Sequence, residues 1–120
     1  MEPASIVYLE IPAPEPKRSA EFYQSLFGWD VSSSNLTDKQ YWIFRCGEGQ
    51  LMGAFDSTKV VSSDGVILYI KVDDIERALA KINSQGGETI SGRSEIGGGF
   101  GYSAMFRDPN GNTIGLWAKE

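Results

Sequence analysis

Gly111-Asn112-Thr113-Ile114-Gly115-Leu116-Trp117, close to the end of the chain, has the same layout as Gly49-Gln50-Leu51-Met52-Gly53-Ala54-Phe55 near its middle. Each runs glycine, polar, any residue, apolar, glycine, apolar, aromatic. The sequence ahead of each stretch repeats as well. Ile6-Val7-Tyr8-Leu9-Glu10-Ile11, a helical pattern closing on Phe27-Gly28-Trp29, and Tyr41-Trp42-Ile43-Phe44-Arg45 precede the first. Gly65-Val66-Ile67-Leu68-Tyr69-Ile70-Lys71-Val72, a helical pattern closing on Gly86-Gly87, and Tyr102-Ser103-Ala104-Met105-Phe106-Arg107 precede the second. The chain therefore reads as one α+β domain, residues 1–120, made of a duplicated strand–helix–strands unit. Module one covers about 5–55, a polar linker 56–64, and module two about 65–118.

Period-two alternation marks the first strand of each module: Val7, Leu9 and Ile11 against Tyr8, Glu10 and Pro12, then Leu68, Ile70 and Val72 against Ile67, Tyr69 and Lys71. Prolines at 12, 14 and 16 end the first strand and open a helix, since a missing amide in the first turn costs little. Ala20, Tyr23, Leu26 and Phe27 fall at helical spacing, and Gly28 stops the helix. Asp73 or Asp74 caps the second helix, where Ile75, Ala78, Leu79 and Ile82 share one face. Ser32 to Lys39 reads as a turn or loop, and Gly47-Glu48-Gly49 as a hairpin turn. Asp108-Pro109-Asn110-Gly111 is a turn with proline at its second position.

Composition bounds the function classes. Apolar residues at 41% and aromatics at 12% suit a folded globule. Net charge is −5, and lysine and arginine do not cluster, which argues against a nucleic-acid partner. Cys46 is the one cysteine, so no intrachain disulfide forms, and no acid or histidine adjoins it to activate the thiol. No basic-then-apolar leader and no membrane-length apolar run is present, so no membrane is expected as a partner and the location expected is cytoplasmic. With no histidine in the chain, no histidine-activated serine or cysteine nucleophile can be built.

Ala20-Glu21-Phe22-Tyr23 with Leu26-Phe27-Gly28-Trp29, Val72-Asp73-Asp74, Gly86-Gly87, and Asp108-Pro109-Asn110-Gly111-Asn112 followed by Ile114-Gly115-Leu116-Trp117 carry a family resemblance. In this order, from about Ser5 to Trp117, they resemble the vicinal oxygen chelate superfamily: the glyoxalases, bleomycin resistance proteins and extradiol dioxygenases. The resemblance implies two βαβββ modules in tandem forming an incomplete barrel, often as a homodimer. It also implies metal-ligand positions, usually histidine and glutamate, on the first and last strand of each module. Here these fall on Tyr8, Gly53, Ile67 and Gly115. Three of the four have no side-chain donor, so no metal ligand and no cofactor is expected.

The face of each first strand turned away from its helix is expected to line a cavity, together with residues of the partner strands: Tyr8, Glu10, Trp42, Gly53, Phe55, Ile67, Tyr69, Lys71, Gly115 and Trp117. Gly53 and Gly115 open volume there unless aromatics fill it. Glu10 is the candidate catalytic residue; the other reading makes it a solvated carboxylate, or one paired with Lys71 or an arginine. Gly97-Gly98-Gly99-Phe100-Gly101 is either an ordinary loop or a mobile flap. Bleomycin resistance relatives sequester their ligands without chemistry. The expected function is thus metal-free binding of a small organic molecule by a homodimer. A lyase, isomerase or dioxygenase with an unusual site is the alternative, and an aromatic surface that meets another protein is a third reading.

Overall fold

The computed structural model describes residues 3, 6–34, 41–48, 51–62 and 65–120. It divides into two compact units, Met1–Val60 and Val61–Glu120. The first holds β1 (Tyr8–Pro12), α1 (Pro16–Phe27), β2 (Asp30–Ser34), β3 (Tyr41–Arg45) and β4 (Met52–Asp56). The second holds β5 (Tyr69–Lys71), α2 (Ile75–Ser84), β6 (Glu88–Glu95), β7 (Tyr102–Arg107) and β8 (Thr113–Ala118). The sheets have the same topology, β1-β4-β3-β2 and β5-β8-β7-β6. In each, the first strand runs parallel to the last, and the other pairs are antiparallel. The helix and the two strands after it make the long connection that such a parallel pair requires.

Local chemistry sets the boundaries. Pro12 is tolerated because β1 is an edge strand. Pro16 opens α1 without a side-chain cap, and Gly28 closes it in the left-handed region at φ 69°, its amide donating to the Gln24 carbonyl. The second helix is capped more fully: of the two expected candidates it is Asp74 that accepts the Arg77 amide at 3.0 Å. Asp56, expected in the linker, is the last residue of β4 and is buried, accepting from the Thr58 amide and hydroxyl. The Asp108 turn forms as expected. Its buried carboxylate accepts from the Asn110 and Asn112 amides and the Asn112 side chain.

Two strands were hidden by their polarity. Ser32 to Ser34, expected in a loop, belong to β2, and the Glu88-Thr89-Ile90-Ser91 region, given no element, belongs to β6. Both are edge strands with mostly exposed side chains, so no apolar period betrays them. The rest of the expected first loop, 35–39, and the Gly49-Gln50 part of the first hairpin lie outside the described residues.

The two cores differ in chemistry. Beneath α1 sits an aromatic stack: Tyr23 lies 4.8 Å from Trp29 and 5.3 Å from Phe55, and Phe44 lies 4.8 Å from Trp29 and 4.9 Å from Phe55, centroid to centroid. Tyr23, Phe44 and Phe55 are fully buried. The second core is mainly aliphatic: Ile75, Leu79 and Ile82 of α2, with Ile114 and Leu116 of β8 and Phe106 of β7. Among the described residues no buried side-chain nitrogen or oxygen lacks a hydrogen-bond partner.

Candidate functional site

Strand register fixes which residues share a face, because directly paired residues point the same way. In module one Leu9 pairs with Gly53, Ile11 with Phe55, Phe44 with Gly53, and Trp42 with Phe55. Phe55 stacks on Tyr23 of α1, so this whole set lies on the helix side. Trp42, Gly53 and Phe55, expected in a cavity on the other side, are therefore misplaced by the sequence reading. The space that Gly53 leaves is taken by the ring of its cross-strand neighbour Phe44. A Cβ built there would collide with that ring and with the Leu9 carbonyl.

The opposite face of module one carries Tyr8, Glu10, Met52, Ala54 and Ile43. Glu10 is half exposed, with its carboxylate 3.8 Å from the Lys59 ammonium just after β4. Lys59 is thus one partner of this carboxylate. Exposed pairs of this kind contribute ~0–1 kcal/mol.

Module two has the opposite phase. Tyr69 pairs with Gly115, Lys71 with Trp117, Met105 with Gly115, and Ser103 with Trp117. The intervening Ile114, Leu116, Ala104 and Phe106 are buried. Tyr69, Lys71, Gly115 and Trp117 therefore share the face that does not carry the core. The register adds Ser103 and Met105, whose alternation with Ala104 and Phe106 is the sequence signal that was passed over. Ile67 lies two residues ahead of β5, half-buried and outside the paired segment.

This face has a definite shape. A Cβ on Gly115 would run into three ring atoms of Tyr69, so the tyrosine lies flat across the glycine. Tyr69 remains 55% exposed, which leaves much of its ring available. The Lys71 ammonium lies 6.0 Å from the Trp117 ring centroid, the outer limit of a cation–π contact. The Trp117 indole N–H donates to the Phe100 carbonyl at 2.8 Å. That bond ties the tip of the glycine hairpin to the sheet, and the Ile96 amide donating to the Gly101 carbonyl closes its base. Gly101, at φ 88°, packs so near the indole and the Ala118 carbonyl that no side chain fits. Phe100 is 70% exposed at the hairpin tip.

Elsewhere in module two a groove of about 450 Å³ runs between α2 and β6, lined by Glu76, Leu79, Ala80, Asn83, Gly92 and Arg93. Two of its polar groups are committed: Asn83 holds the Thr89 amide and hydroxyl, and the Arg93 guanidinium sits 3.7 Å from the Tyr102 ring centroid. Cys46 is half-buried, and burial pushes its thiol pKa up; its S–H donates weakly to the Leu51 carbonyl. It lies just past the end of β3 and is not an activated thiol.

The metal positions implied by the resemblance do not fit a metal. Gly53 lies under Phe44 on the helix side, Gly115 lies under Tyr69, and neither these nor Ile67 has a donor atom. Among the described residues no three histidines, cysteines, aspartates or glutamates come together as a ligand set. No helix among the described residues is long and apolar enough to cross a membrane.

The family model for the Glyoxalase/Bleomycin resistance protein/Dioxygenase superfamily matches residues 5–116, and the chain belongs to that superfamily. It is 26% identical over 111 residues to a glyoxylase-like domain-containing protein of Didymella fabae, covering 88% of this chain and 86% of the relative. It spans less than half of three further matching relatives, 48% of one and 44% of the other two. A superfamily enzyme from Burkholderia phytofirmans PsJN superposes with TM-score 0.77 at 17% identity, over 98% of this chain and all of that one (100%). TnmS3, an antibiotic binding protein from Streptomyces sp. CB03234, superposes with TM-score 0.71 at 20% identity, over 98% of both chains. At these identities the structural matches establish the fold, α+β with two βαβββ modules.

Proposed function

We propose that this protein binds a small organic molecule without a metal, using the face of the second sheet that carries Tyr69, Lys71 and Trp117. The observation that carries the reading is the combination on one face of a flat, half-exposed tyrosine, a tryptophan and a lysine. Small-molecule sites combine apolar and aromatic surface with a few convergent polar groups, and this face has that composition. Similarity to an antibiotic binding protein of the same fold supports the reading at the level of ligand type. A homodimer in the cytoplasm belongs to the same proposal, resting on the family resemblance and on composition.

The superfamily-enzyme alternative is weaker. It would need Glu10, Tyr8 and Tyr69 to act without the family's metal ligands, and Glu10 is engaged by Lys59. A metal-free binder should gain stability from a ligand as the logarithm of its concentration, reaching ~2.7 kcal/mol at a hundredfold excess over Kd. Thermal denaturation against a panel of planar organic compounds, with and without EDTA, tests this. The expected result is a saturable rise in Tm that EDTA leaves unchanged. Stabilisation by a divalent metal alone, with no response to any organic compound, would contradict it.

A further inference from the structure

Building on that reading, we infer that the second sheet selects flat aromatic molecules bearing an anionic group, with Lys71 as the residue that sets the selectivity. Three observations converge. The Tyr69 ring lies across Gly115 and keeps more than half its surface exposed, giving a ready-made stacking platform. Trp117, two residues beyond Gly115 and on the same face, presents an indole whose N–H is already used by the Phe100 carbonyl, so its ring is held in place. The Lys71 ammonium stands near that ring and, among the described residues, forms no ion pair with any carboxylate.

In module one Lys59, just after β4, is held by Glu10, so the two modules differ at this point. In a chain of net charge −5, a cation without an acid partner on an aromatic face is locally complementary to an anion. The remaining charges act weakly beyond ~8 Å at physiological salt. An aromatic carboxylate or phenolate stacked on Tyr69 would place its charge toward Lys71, where a charge-assisted hydrogen bond forms. Ser103, the cross-strand partner of Trp117, supplies a hydroxyl on the same face. Phe100, 70% exposed at the hairpin, is tied to this face through its backbone carbonyl.

Three probes of one shape and different charge test the inference: naphthoate, naphthalenemethanol and naphthylmethylammonium, titrated against the 120-residue protein by calorimetry. The expected order is naphthoate tightest, about tenfold over the alcohol, with the ammonium compound weakest. Lys71→Met should bring naphthoate down to the level of the alcohol, Lys71→Arg should keep most of the preference, and Lys81→Met on α2 should leave it untouched. Equal binding of naphthoate and the alcohol would overturn the anion selectivity while leaving small-molecule binding in place. A preference that survives Lys71→Met would remove Lys71 from the recognition. Failure of all three probes to bind would bring down both the inference and the reading beneath it.

Discussion

The two modules have one topology and a near-identical closing motif, yet they present opposite faces of that motif. In module one the second glycine of the motif, Gly53, looks toward α1 and receives the Phe44 ring. In module two its counterpart, Gly115, looks away from the core and receives the Tyr69 ring. A shift of one residue in register sends every side chain to the other face of a sheet. The difference is visible in the first strands: Tyr8 pairs with Met52, whereas Tyr69 pairs with Gly115. Module one thereby spends its aromatics on a core, and module two leaves Tyr69 and Trp117 on a face able to meet a ligand. Duplication here preserves architecture while the two modules place their aromatics on opposite faces.

The comparison breaks most visibly at the aromatic core. Phe55→Ala removes a fully buried ring stacked between Tyr23, Phe44 and Trp29, and should cost ~3–5 kcal/mol in chemical denaturation. Trp117→Ala, the motif-equivalent change in module two, should cost much less. Equal losses would contradict the inverted phase. Next in size is Gly53→Ala, whose methyl meets the Leu9 carbonyl as well as the Phe44 ring. It should destabilise by ~1–3 kcal/mol, because backbone cannot swing aside.

Gly115→Ala sharpens the contrast. The three atoms nearest its added methyl all belong to a half-exposed tyrosine, whose ring can move outward, so the stability loss should be smaller than for Gly53→Ala. Ligand binding should suffer more than folding, since the flat platform is lost. Trp117→Phe removes the hydrogen bond to the Phe100 carbonyl; hydrogen exchange of the Ile96 and Phe100 amides should speed up about fivefold, as expected from ~1 kcal/mol of local stabilisation. The smallest effect concerns Cys46. Its raised pKa leaves less thiolate at neutral pH than an ordinary cysteine has, so alkylation should be slower than for a free thiol and should accelerate as pH rises.

Much of this was legible in the sequence, for identifiable reasons. Ile75, Leu79 and Ile82 at helical spacing, Asp74 at a cap, and the Asp108-Pro109-Asn110-Gly111 turn are local signals, and each formed where chemistry placed it. The repeat itself gave the tandem modules. The edge strands β2 and β6 were not legible, because Asp30-Val31-Ser32-Ser33-Ser34 and Glu88–Glu95 bury little and so show no period. The faces of Trp42, Gly53 and Phe55 were misread for a different reason. The matching motif suggests equivalent positions, but inward and outward are decided by pairing with β1 or β5, which is non-local. On module two the same pattern led to Tyr69, Lys71, Gly115 and Trp117 on one face, while Ser103 and Met105 needed the β7 register.

The most direct test of the division of labour is a two-dimensional NMR titration of the protein with naphthoate, following backbone amides and the indole N–H groups of Trp29, Trp42 and Trp117. The account predicts saturable shifts at Tyr69, Lys71, Ser103, Met105 and the Trp117 indole, with the Phe44, Phe55 and Trp29 signals still. Shifts centred on the aromatic stack beneath α1, with the Tyr69–Trp117 face silent, would contradict it.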